Sequence, residues 1–156
     1  MGADIWIWTN KGAPLITREG DQTQAQLSAD GRWLAYVSNE TGRNEVFVAA
    51  FRFDESTGDA SVGDSIPVSD GGGFAPRWRG DGKELFYLKI DGSVMAIEAN
   101  GAPAFSSGPA RRLFIVPGVF REWGVTHDGS RFLFAVPTAP APPLNIIYDW
   151  QSALPK

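Results

Sequence analysis

A chain of 156 residues fits one domain, and its 43 % hydrophobic and 21 % charged residues exclude a disordered or fibrous protein. Eighteen glycines and 11 prolines favour many short elements over long helices. The net charge of −4 disfavours nucleic acid as a partner, and zero cysteines exclude disulfides, thiolate nucleophiles and cysteine-held metals.

In chain order, residues 4–10 (DIWIWTN) read as a strand and residues 14–18 as a second, more polar one. This opening carries no basic stretch followed by an apolar core, and no run of 18 or more apolar residues occurs in the chain. The sequence as written is therefore expected to be cytoplasmic, without membrane insertion. Next comes QLSADGRWLAYVSN (26–39), which superposes without gaps on RWRGDGKELFYLKI (77–90) and GVTHDGSRFLFAVP (124–137), at offsets of 51 and 47 residues. The shared landmarks are Asp30-Gly31, Asp81-Gly82 and Asp128-Gly129. Each copy reads as a strand, a two-residue Asp-Gly turn with positive φ angles, and a strand. The strands after the turns (32–39, 83–90 and 130–137) are apolar on both alternating faces, so their sheets should be covered on both sides.

A third strand follows in each unit, at 45–51, 93–99 and 144–150, and more polar fourth strands fall at 14–18, 65–69 and 110–116. Four-stranded sheets repeating every 40 to 50 residues or so describe β-propeller blades. The expected fold is all-β: a β-propeller fragment of four-stranded antiparallel blades, about three and a half per chain. Its divisions are 1–23 (half a blade), 24–73, 74–120 and 121–156 (an incomplete blade).

With these repeats in hand, SADGRWLAYVSNETGRNEVFVAAF and APRWRGDGKELFYLKIDGSVMAIEA resemble the WD-repeat-like propeller units of the TolB family. The run from PRWRGDGKELFYL through LFIVPG and VTHDGSRFLFAVP to LNIIYDWQSAL is similar to the C-terminal end of bacterial propeller domains often fused to membrane-anchored serine/threonine kinases. The resemblance implies a non-catalytic scaffold or protein- and peptide-binding module. It leaves open a sensor or accessory segment of a larger kinase or peptidase, in which case the parent propeller would be extracytoplasmic. So few blades do not close a ring of the usual size. Either the chain is part of a longer protein, or copies complete the ring by self-association, a symmetric dimer being the commonest closed solution. An assembly whose sole activity is to form that multimeric ring is a third reading.

Candidate chemistry is sparse. His127 lies beside Asp128 and Ser130, but the aligned units carry Ala29 and Gly80 there, so it reads as a solvated turn residue, and no G-x-S-x-G motif occurs. The stretch FDESTGDASVGD (53–64) lacks calcium-loop spacing and reads as a long solvated hairpin. Gly71, Gly72 and Gly73 lack the lysine of a phosphate-binding loop and read as a flexible connection. Trp78 and Trp123 recur at related first-strand positions and read as packing between blades. No catalytic residue, metal or cofactor is expected. The candidate binding residues are those entering the first strands, where aromatic and arginine side chains make interface anchors: Phe74, Arg77, Arg79, Phe120, Arg121 and Glu122.

Overall fold

The computed structural model describes residues 2–9, 11–101, 103–118 and 122–137. They form strands and turns with no helix among them, arranged as several small antiparallel sheets. Strands β1 (Ile5–Trp8) and β2 (Gly12–Ile16) make a hairpin. A four-stranded sheet follows, in the order β3 (Gln22–Leu27), β4 (Trp33–Ser38), β5 (Glu45–Asp54) and β6 (Asp59–Pro67). The next sheet contains β7 (Phe74–Trp78), β8 (Glu84–Leu88) and β9 (Ser93–Asn100), with β10 (Ser106–Ser107) and β11 (Arg111–Ile115) both pairing with β9. A last hairpin joins β12 (Trp123–Val125) to β13 (Phe132–Phe134). The described residues close neither a barrel nor a ring.

Alternation along β4 explains how these layers stack. Ala35 and Val37 face β8 and β9, meeting Leu85, Tyr87, Met95 and Ile97. Leu34 and Tyr36 point the other way, toward Ile5 and Ile16 of the first hairpin. The far face of the second sheet, Phe86, Leu88, Val94 and Ala96, packs on Trp123 with Phe132 and Phe134 alongside. Hairpin, sheet, sheet and hairpin therefore stack face to face in chain order. Because β4 and β8 are sandwiched, they are apolar on both faces, as their sequences require.

The turns differ from the two-residue form. Gly31, Gly82 and Gly129 have φ of 67°, 70° and 72°, but the preceding aspartates do not share the positive φ region. Instead each glycine N–H bonds the carbonyl three residues back: Ser28, Arg79 and Thr126. Each aspartate accepts from the backbone N–H two residues on, at Arg32, Lys83 and Ser130. The acid is selected by this side-chain turn, and only the glycine supplies left-handed backbone.

Other boundaries also move. Residues 53–64 form the long exposed hairpin read from the sequence, but its arms are paired strand, with β5 running on to Asp54 and β6 beginning at Asp59 rather than at 65. The Gly71–Gly73 connection is pinned, not flexible: Gly72 N–H donates to Glu45 Oε1 and Gly73 N–H to the Asn44 carbonyl. Strand β10 has no counterpart in the sequence reading. The third strand expected at 144–150 lies outside the described residues.

Candidate ligand-binding site

The three aligned turns share one backbone plan, closed by N–H to carbonyl bonds from Ser28 to Trp33, Arg79 to Glu84 and Thr126 to Arg131. Their side chains diverge in the middle copy. Where Ser28 and Thr126 donate short hydroxyl bonds to the turn aspartate, Arg79 grips Asp81 with a fork, Nε to Oδ1 at 2.7 Å and Nη2 to Oδ2 at 2.9 Å. The Arg79 guanidinium beside Asp81 holds that carboxyl down to about 2. The hydrogen bond to Asp81 in turn raises the arginine.

Arg79 Nη1 also donates to Glu84 Oε2 at 2.9 Å, and the other oxygen of Glu84 takes Nη2 of Arg111. The glutamate is only 10 % exposed, whereas its aligned counterparts are Trp33 and Arg131. One largely buried carboxylate thus ties the β7–β8 turn to β11, two segments that share no pairing of their own. Beside this tie opens a cleft of about 640 Å³. Strand β10 forms part of its wall by pairing Ser106 with Asn100 and Ser107 with Ala99 at the end of β9. Lys83 lines the cleft and makes no ion pair among the described residues. Hydroxyls, an amide, carboxylates and cations facing one space suit a ligand carrying both hydroxyl groups and negative charge.

The described residues singled out in the sequence do not all line this cleft. Arg79 lines this cleft, while Phe74 and Arg77 lie on β7, with Phe74 between both neighbouring apolar layers. Glu122 is exposed ahead of β12, and Phe120 and Arg121 lie outside the described residues. His127 is an exposed turn residue whose carbonyl accepts the Gly80 N–H and whose ring occupies the space that a Gly80 side chain would fill. Among the described residues no three histidine, aspartate or glutamate side chains cluster as a metal site would need. No helix among them is long and apolar enough to cross a membrane. Lys83, Glu84, Glu98, Ser106, Ser107 and Arg111 escaped the sequence reading, although the departure from the repeat at positions 79 and 84 was a usable signal.

No family model matches the chain, and no curated protein matches it. A solved structure from Bacteroides uniformis, provisionally assigned as a 6-phosphogluconolactonase, matches the fold with a TM-score of 0.50 at 15 % identity, over 83 % of this chain. The chain spans 39 % of the length of that protein. At this identity the likeness concerns the fold alone. These findings correct the resemblance to TolB-like and WD40-like repeats: no family model matches, and the structural likeness found is to a protein assigned otherwise. The inferred functions fall with it, both the protein-binding scaffold completed by self-association into a homo-oligomer and the sensor or accessory segment of a kinase or peptidase.

Proposed function

We propose that this chain is part of a β-propeller and that its cleft at Arg79, Lys83, Glu84 and Arg111 binds a small polyhydroxylated anion of the sugar-acid class. Face-to-face stacking of successive antiparallel sheets in chain order supports the fold, and the chain matches part of a larger solved structure. The observation that carries the ligand class is the tie through Glu84, present in the middle unit alone and flanked by Lys83. Glu84 neutralises part of the charge on two arginines and fixes their planes, leaving further N–H donors for an oxyanion. Lys83 adds a point charge, and Ser106, Ser107 and Asn100 supply partners for hydroxyl groups.

Titration calorimetry with 6-phosphogluconate tests this reading, with glucose as the uncharged control. Saturable binding of the acid is expected, weakened about tenfold in Lys83→Ala, the loss of roughly one charge-assisted contact. Absence of binding to the folded protein, or equal binding of glucose, refutes it. Ring opening of the corresponding phosphorylated lactone, followed by proton release, is the catalytic arm of the same experiment. Turnover abolished by Glu98→Gln would assign that cleft carboxylate as the base toward water.

A further inference from the structure

A second cation stands apart from this cleft. Arg77 sits on β7, an edge strand of its sheet that packs alongside β3, the edge strand of the sheet before it. Both strands are broken at the same place by a bulge: between Thr23 and Gln26 in β3, and between Phe74 and Arg77 in β7. Each bulge carries a side-chain-bearing residue at positive φ, Gln24 at 56° and Ala75 at 52°. Such backbone costs on the order of 1 kcal/mol or more per residue and persists where neighbours hold it. The holding bonds run between units: Ala75 N–H donates to Gln24 Oε1 at 2.6 Å, and the Trp123 indole N–H donates to the Ala75 carbonyl at 3.1 Å.

The bulge and Trp123 together fix the arginine. Its guanidinium carbon lies 5.8 Å from the centre of the Trp123 ring, and Nη1 donates to the Pro76 carbonyl at 2.8 Å. Half-burial pushes its pKa down, and no carboxylate among the described residues pairs with it. Arg32, Arg43, Arg79 and Arg111 each contact an acid within 3 Å, and the described arginines that share the lack of an ion pair with Arg77, namely Arg52, Arg112 and Arg131, are exposed where Arg77 is half-buried. A guanidinium has five N–H donors in a plane. Arg77 uses one on a neutral carbonyl and sits over an aromatic ring, which leaves further N–H donors for an oxyanion.

We infer that Arg77, held by the β7 bulge and Trp123, is a binding site for the carboxylate or phosphate of a small ligand, separate from the cleft at Glu84. Binding there does not depend on the cleft being occupied. The test is the indole N–H resonance of Trp123, with inorganic phosphate and acetate as probes and chloride at equal ionic strength as control. A saturable shift is expected with either oxyanion and not with chloride. It should weaken at least tenfold in Arg77→Gln, persist in weaker form in Arg77→Lys, and remain unchanged in Lys83→Ala, which reports on the cleft alone. Should Arg77→Gln fail to fold, Arg77→Lys carries the comparison, because the charge survives and the planar fork does not. No saturable shift in the folded wild-type protein overturns the inference. So does a shift that appears in Asp149→Asn only, since Asp149, the sole acid in residues 138–156, would then be the natural partner of Arg77.

Discussion

The two central sheets and the two terminal hairpins are built from the same repeated sequence unit yet bury their strands differently. Every residue of β8 is buried, and β4 is buried from Leu34 to Ser38. In the hairpins one face packs and the other is open: Trp6 is 59 % exposed, Trp8 81 % and Leu133 69 %. Strand composition hardly differs between IWIW, FLF and ELFYL. What differs is the number of neighbouring layers. A strand apolar on both faces realises its full burial when a sheet lies on each side, and the terminal hairpins have one such neighbour among the described residues.

The sharpest way to break this comparison is to truncate equivalent apolar residues in the two settings. Phe86 is buried and meets Phe132 edge to face at 5.2 Å, so Phe86→Ala should cost about 3–5 kcal/mol in chemical denaturation. Leu133→Ala on the open face of β13 should cost about 0.5 kcal/mol or less. Equal costs would mean that the last hairpin is covered in solution. A smaller effect is expected at Glu84. Glu84→Ala leaves Arg79 and Arg111 without their shared acid and should cost about 1–3 kcal/mol, with Arg111→Ala adding little once Glu84 is gone. Full additivity in that double mutant would show that the tie carries no coupling.

The turn glycines refine the comparison further. Around Gly82 nothing lies within 4 Å of an added Cβ, so Gly82→Val should lower stability through backbone strain alone, by about 1–2 kcal/mol. At Gly129 the same φ is combined with Arg79 Cδ at 2.8 Å and the Phe86 ring at 3.2 Å from such a Cβ. Gly129→Val should therefore lower the melting temperature more than Gly82→Val, and the reverse order would contradict the docking of the last hairpin. The smallest effect is in acid. Asp30 and Asp81 are lowered to about 2, Asp30 mainly by the Ser28 hydroxyl and Asp81 mainly by Arg79, and Asp128 is lowered further by the Thr126 hydroxyl. Carboxyls depressed in the fold contribute stability above their unfolded pKa near 4, and that contribution is lost as pH falls through about 2. The Asp30→Asn, Asp81→Asn, Asp128→Asn protein should accordingly show a flatter melting temperature between about pH 4 and pH 2 than the wild type.

The repeat, the strands and their two-sided burial were legible in the sequence because they rest on local pattern. Alternation at a period of two sets which side chains share a face, and Asp-Gly pairs mark each reversal of the chain. The same reading misjudged the form of the turns, because aspartate serves there through its carboxylate and not through its backbone angle. It also gave Arg77 and Arg79 one role although they lie in different settings: the first rests on Trp123 and the second on Asp81 and Glu84. Local pattern says nothing about contacts such as Glu84 with Arg111, which are 27 positions apart, or Ala75 with Gln24, which are 51 apart. Sequence alone determined the antiparallel repeat with its two apolar strand faces. Only the tertiary structure decided which layers cover them, where the first strands bulge, and which cations meet an acid, because those outcomes depend on how successive sheets dock.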